Sequence, residues 1–300
     1  MSTLYTQSEN NVYKTYAYLL GFVLLVIGIG WMMSWYYGNV IILYIALGFS
    51  IITSLYSYWN SDKIVLRLTK AKAATEEEYP ELHRIVENLA ISNGLPKPRL
   101  YILEDAQPNA FATGRNPEKG VIAVTTGLLG RLERAEIEAV LAHELGHIGN
   151  NDILISSIVV VLVGTVVLIA DFFFRTAFFG RMGGRDKGGI VILVGAVVFI
   201  ILAPILAQIM KLAISRKREY LADSTAALTT RYPEGLASAL EKISSDPNQL
   251  KTANDATAHL FIASPFRGKE KKSWFRKLFM THPPIEERVK ALRAMDSEGS

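Results

Sequence analysis

His143-Glu144-Leu145-Gly146-His147 is the stretch whose residue types and spacing could do chemistry. Histidines at i and i+4 of a helix lie one turn apart on one face, so their imidazoles can converge on one metal ion. A glutamate beside the first histidine can reach a water on that ion and act as a base. The motif is short, so it needs a helix under it, a third ligand and a place for a substrate. The helix is predicted by pattern: Ile137, Val140, Leu141, Leu145 and Ile148 recur at helical spacing over 135–148. Its start, Leu132-Glu133-Arg134, shows no strong cap, although Glu133 and Glu136 favour a helix N-terminus through the macrodipole.

A third ligand is available downstream. Residues 215–228, SRKREYLADSTAAL, contain no proline or glycine and are compatible with a helix. Glu219 and Asp223 are four apart and share a face of it. Catalytic zinc commonly takes three protein ligands, with two histidines and a glutamate among the known sets, and leaves a fourth position to water. Glu219 is the candidate third ligand. A ligating histidine usually donates its other ring nitrogen to a carboxylate, a role open to Asp223 toward His143. Without the histidine pair, such an acidic pair would read as a solvated helix face. The chain has no cysteine, which excludes disulfides and thiolate-bound zinc and leaves histidine and carboxylate as ligands. Two other histidines have bland readings, His83 at the surface and His259, in HLFI, as a structural residue.

The positioning elements include a membrane. Half of the 300 residues are hydrophobic and the mean hydropathy is positive, too apolar for two soluble domains. Four apolar runs of roughly 20–25 residues, at 16–37, 40–59, 153–174 and 189–213, are each long enough to span a bilayer. The first has no small-residue cleavage site after it and is read as retained. Trp31, Trp35, Tyr36 and Tyr37 form an interfacial belt at its end, and Gly38-Asn39 turns the chain into the second. Residues 1–15 are polar and carry little. The net charge of +4 is clustered beside the apolar runs, which suggests topology rather than nucleic acid. Lys63, Arg67, Lys70 and Lys72 follow the second run, and Lys211, Arg216, Lys217 and Arg218 the fourth, so both sites are cytoplasmic by the positive-inside rule. One loop conflicts: 175–188 holds Arg175, Arg181, Arg185 and Lys187 yet lies outside if both flanking runs cross. The alternative there is a pair of helices that do not fully cross.

Between and after the spans the chain reads as soluble. Residues 76–93 show helical periodicity, while 99–104, Ala110–Thr113 and Val121–Thr125 read as strands of a small antiparallel sheet. Helices are predicted at 233–244 and 285–295, and 267–279 mix basic with aromatic residues in a way that suits anionic lipid or a solvated loop. The expected architecture is a mainly α membrane protein, with four transmembrane helices and a cytoplasmic zincin-like α+β catalytic domain. Its parts are a transmembrane hairpin at 1–60, protease segments at 61–152 and 215–300, and a second hairpin at 153–214.

With HELGH followed by two spans and then SRKREYLAD, the chain resembles the HtpX family of membrane-bound zinc metalloproteases, relatives of the CAAX prenyl endopeptidases. The likeness covers nearly the whole chain, through the N-terminal hairpin, PNAFATG at 108–114, EYLAD at 219–223 and THPPIEER at 281–288. It implies one zinc per subunit and a cytoplasm-facing site on a prokaryotic plasma membrane. It also implies a stress-response role in clearing misfolded membrane proteins, so the partners are unfolded polypeptides and the bilayer, not nucleic acid. His143, His147 and Glu219 would be the zinc ligands, Glu144 the catalytic acid/base, and Asp223 a support behind them. Asn109, ahead of Ala110, Phe111 and Ala112, would contact the substrate main chain. His282 would help stabilise the oxyanion, and Arg288 would brace the ligand carboxylate. An exposed strand at Ala110–Thr113 would accept an extended peptide as a new strand. Asn109 is otherwise a turn residue and His282, before Pro283-Pro284, a helix-start residue.

The function expected is peptide-bond hydrolysis. A CAAX-type processing protease needs a large intramembrane chamber that four spans are too few to enclose. A zinc-stabilised scaffold would have four protein ligands, where three are visible. Transport has little support, because the spans hold almost no ionisable residue apart from Asp171. His147 precedes the third span and Glu219 follows the fourth, so both fall on one membrane face.

Overall fold

The structure, a computed structural model, describes residues 4–165, 216–251, 257–265 and 283–298. Helices α1 (Leu4–Tyr37) and α2 (Ile41–Leu68) form a hairpin whose turn needs the left-handed backbone of Gly38 (φ +64°). Asn11–Trp35 and Ile41–Leu68 are each long and apolar enough to cross a bilayer. Leu20, Leu24, Trp31, Trp35, Ile45 and Ile52 are exposed on them, an apolar surface that suits lipid rather than water. Both helices outrun the limits set by hydropathy. α1 begins at Leu4, so the polar start of the chain is helical, and α2 continues past Trp59 through a break at Asn60 (φ −123°, ψ 15°). The extension of α2 drops Val65 into a buried cluster with Leu103, Phe111 and Val160, tying the hairpin to the rest of the chain.

The sheet holds β1 (Lys72–Ala73), β2 (Arg99–Leu103), β3 (Ala110–Thr113) and β4 (Val121–Thr125), in the order β1-β2-β4-β3. It is mixed rather than antiparallel as expected, because β2 and β4 run parallel. The chain first crosses to the outer position as β3, and the hairpin then returns β4 into the gap beside β2. That hairpin uses Gly114 (φ +139°), where a Cβ would meet the Lys119 carbonyl oxygen at 2.7 Å. Strand β4 is buried on both faces, which accounts for its unbroken apolar run. Side chains alternate across the sheet. Leu100, Ile102, Ala112, Ile122 and Val124 join the main core with α3 (Pro80–Ser92), while Phe111 and Ala123 face the α2 extension.

Helix α4 (Thr126–Arg131) is capped by the Thr125 hydroxyl, which accepts from Leu128 N at 3.1 Å. Helix α5 (Arg134–Gly149) is the central element, packed against α3, the sheet, α7 (Arg216–Thr230) and α8 (Pro233–Ser245). The cap that the sequence lacked is a glutamate reaching back. Glu136 Oε2 accepts from Glu133 N at 2.8 Å, while Ser238 and Lys242 hold the same carboxylate. After α5 the chain bends by 82° into α6 (Asp152–Thr165), with Asn151 in the left-handed region (φ 55°). Helix α9 (Ile285–Glu298) closes the core through Val289 and Leu292. Among the described residues two helices are able to span a membrane, or three if the bent α5–α6 pair counts as one span. The expected third span is described only to Thr165, and the fourth, with the 175–188 loop and the basic stretch at 267–279, lies outside the described residues.

Candidate metal centre

Helix α5 carries His143, Glu144 and His147, and α7 carries Glu219 and Asp223. The two helices approach closely at Gly146, where a Cβ would already touch the Ala222 Cα and the Thr225 Cβ at 3.4 Å. Small residues at this crossing bring the α7 carboxylates against the α5 histidines. The Nε2 atoms of His143 and His147 are 3.2 Å apart. Glu219 Oε2 is 3.9 Å from His143 Nε2, and Glu219 Oε1 is 3.6 Å from His147 Nε2. One ligand atom from each of these residues fits within a 4.8 Å cluster. Two nitrogens bound at about 2.0–2.1 Å in a tetrahedral zinc site stand roughly 3.3 Å apart, so the donor set and its spacing fit such an ion.

His143 is fully enclosed. Its Nδ1 lies 2.9 Å from Asp223 Oδ1, so the ring proton sits on Nδ1 and the Nε2 lone pair faces Glu219 and His147. Asp223 is gripped in turn by Arg288, whose Nε and Nη2 donate to its two oxygens at 2.9 and 2.6 Å. Arg288 is 0% exposed, and its Nη1 also lies 3.4 Å from Glu219 Oε2. Burial, helped by the charges of Arg288 and His147, pushes His143 down to about 4 against the hydrogen bond it donates to Asp223. Burial works against the Asp223 charge, but Arg288 and the His143 bond outweigh it and hold this carboxyl below its ordinary range.

His147 is held from the other side. Its Nδ1 lies 3.0 Å from Asp152 Oδ2. Asp152 Oδ1 accepts from Asn11 Nδ2 at 2.8 Å and from Arg218 Nη1 at 3.4 Å. Burial alone would depress His147, but the Asp152 hydrogen bond and the charges of Glu219, Asp152 and Glu144 lift it to about 9. Neither Asp152 nor Asn11 was expected from the sequence. Asp152 lies just past the motif helix, and Asn11 stands in the N-terminal stretch read as carrying little.

A cavity of about 30 Å³ is lined by His143, Glu144, His147, Glu219, His259 and Ile262, among others. It has room for a water or two but not for a peptide. Strand β3 is not the exposed edge that was expected. All four of its residues are buried: Ala110 and Ala112 face the core under α5, Thr113 bonds to Ser157, and 257–265 packs on the other side, with Phe261 edge-on to Phe111 at 5.2 Å. Ile262 N donates to Ala110 O at 3.0 Å. Asn109, also buried, donates from Nδ2 to Ala263 O at 3.0 Å and faces Ala263 N at 3.4 Å. Asn109 therefore bonds to a main chain of this protein, at Ala263. His259 is buried with its Nε2 3.3 Å from Ser156 O, and His83 is partly buried against Ala74 O at 2.9 Å. His282 lies outside the described residues.

The sequence matches peptidase family M48 over residues 76–296. It is 45% identical to a protease HtpX homolog of Thermoanaerobacter pseudethanolicus over 98% of both chains. It is 48% identical to a protease HtpX homolog of Pyrococcus furiosus over 94% of both. A crystal structure of S. mikatae Ste24p aligns with 96% of this chain and 66% of its own, at a TM-score of 0.49 and 19% identity.

Proposed function

The chain belongs to peptidase family M48 and is a metalloprotease, and on that premise we propose that it is a zinc endopeptidase acting on unfolded membrane proteins at the cytoplasmic face of a prokaryotic plasma membrane. The observation that carries this reading is the convergence of His143, His147 and Glu219 on one point, with Glu144 lining the same cavity. Zinc held by those three side chains would polarise the scissile carbonyl and bring the pKa of its water toward about 7. Glu144 takes the proton from the attacking water onto its carboxylate and delivers it to the leaving amine. Asp223 keeps the His143 proton on Nδ1, and Arg288 keeps Asp223 ionised and fixed. His282 is proposed to donate to the oxyanion.

The substrate is proposed to add as a strand along Ala110, Phe111 and Ala112, with Asn109 reading its main chain. The bonds of Ile262 to Ala110 and of Ala263 to Asn109 support this, because they show that these groups can bond to a main chain laid along β3. Substrate entry then requires 257–265 to leave that edge. Main-chain recognition ignores side chains, which suits damaged proteins of many sequences. The apolar runs at 153–174 and 189–213 are proposed to complete four spans and to return Glu219 to the face of His147.

Glu144→Gln in the full chain in detergent is expected to lower cleavage of an unfolded membrane substrate by about 10²–10⁴ while zinc content stays at one per chain. Cleavage by this variant at the wild-type rate would refute the mechanism. Full zinc occupancy in Glu219→Ala would remove Glu219 from the ligand set.

A further inference from the structure

Asp152 is an acidic residue, buried and placed at the start of α6, just past the bend from α5. A buried carboxylate needs partners, and this one divides them between its oxygens. Oδ2 meets His147 Nδ1 at 3.0 Å, and Oδ1 takes the Asn11 amide at 2.8 Å. Asn11 Nδ2 also reaches Asn150 O at 3.1 Å, so one amide clasps both sides of the α5–α6 bend. Arg218 Nη1 lies within 3.5 Å of both Asn11 Oδ1 and Asp152 Oδ1. Asn11 is 3% exposed, and it belongs to α1, the first of the two apolar helices, 139 residues away from the bend in sequence. The α6 N-terminus adds a favourable field for the negative charge. The same contacts orient the His147 ring, because an acceptor on Nδ1 leaves Nε2 directed at the ligand cluster.

We infer that Asp152 is the positioning residue for His147 and that Asn11, where the apolar span of α1 begins, holds Asp152 in place. The docking of α1 is then a condition for a tight metal site, not only an anchor in the bilayer. This rests on His147 being a metal ligand, as proposed above.

The test is zinc affinity of the full chain in detergent, measured by competition with a chromophoric chelator, alongside the absorption spectrum of the cobalt-substituted protein. Carboxylates behind a ligating histidine typically matter by about 10–100-fold in metal affinity, and Asp152→Ala is expected in that range. Asn11→Ala is expected to weaken zinc several-fold, while Leu24→Ala, on the lipid-facing side of the same helix, leaves it unchanged. Asp152→Asn keeps the volume and guards against a folding failure. Its cobalt ligand-field bands should shift while the circular dichroism of its metal-free form matches wild type, a change that a merely structural role would not give. If His147→Ala loses zinc but the Asp152 and Asn11 variants match wild type in both affinity and spectrum, this inference is overturned and the ligand assignment stands. If His147→Ala binds zinc like wild type, the ligand assignment itself fails.

Discussion

His143 and His147 stand one turn apart on α5, yet they are held from opposite parts of the molecule. Behind His143 are Asp223 and Arg288, from α7 and α9 in the C-terminal part. Behind His147 are Asp152 at the start of α6, Asn11 on the membrane helix α1 and Arg218 on α7. The device is the same twice over, an imidazole on a carboxylate and a guanidinium on that carboxylate. The quality differs. Arg288 makes a two-pronged grip at 2.6 and 2.9 Å, whereas Arg218 reaches Asp152 through one nitrogen at 3.4 Å. One histidine is held entirely from the C-terminal helices, and the other by a carboxylate that both α7 and the membrane helix α1 also hold.

The comparison breaks most readily at its stronger end. Removing Arg288 leaves Asp223 as a buried, uncompensated charge, a change that typically costs about 3–5 kcal/mol. Arg288→Ala should therefore be the most destabilising single change at the site. Arg288→Lys should recover only part of the loss, since an ammonium cannot span both oxygens of Asp223. Arg218→Ala should cost clearly less, because Asn11 still satisfies Asp152. Thermal unfolding of the metal-free forms measures all three. Equal losses for Arg288→Ala and Arg218→Ala would mean that the two supports do not differ as their geometry says.

The two histidines should also titrate in opposite senses in the chelated protein. His147 is lifted to about 9 from an ordinary 6.5, so the folded state holds its proton more tightly than the unfolded chain. Its stabilisation is complete below about 6.5 and is lost as pH rises through 9. His143 is pushed down to about 4, so the unfolded chain takes up that proton first. Its share of stability is intact above about 6.5 and is lost as pH falls through 4. Asp223 and Glu136, both held below the carboxylate range, add to the acid limb at its lower end. The apparent melting temperature with chelator should peak near pH 6.5. His147→Gln should flatten the alkaline limb and His143→Gln the acid one. An alkaline limb unchanged in His147→Gln would assign it elsewhere.

What could be read from the sequence divides along the same line. HELGH on a helix, with Glu219 and Asp223 on one face of another, follows from local periodicity, and the resemblance added Arg288. These parts rely on spacing within one element or on a motif already met. The His147 support relies on neither. Asp152 sits beyond the helix that gives the motif its period, and Asn11 meets it across 141 residues. The sheet shows the same limit. Each strand is visible as a short apolar run, but the parallel pairing of β2 with β4 depends on the order in which the chain fills the sheet. The covering of β3 by 257–265 was hidden for a related reason. A strand's alternation tells which residues are buried, not which distant segment buries them.

The smallest effect is expected at an arginine whose contacts look almost as well made as those of Arg288. Arg293 makes four hydrogen bonds to Glu234 and Glu241, at 2.8–3.0 Å. If hydrogen-bond count decided, Arg293→Ala would rival Arg288→Ala. Burial decides instead. The Arg293 side chain is 47% exposed and Arg288 is 0% exposed. Around Arg293, water replaces each lost contact, and the two glutamates it frees are simply hydrated. Around Asp223 there is no water to take the place of Arg288. Arg293→Ala should therefore melt within the scatter of wild type, with zinc affinity and cleavage unchanged, and raising the salt should not alter that result. A loss comparable to that of Arg288→Ala would show that the α8–α9 contact under Arg293 supports the metal centre, and that burial is the wrong axis for ranking the arginines of this protein.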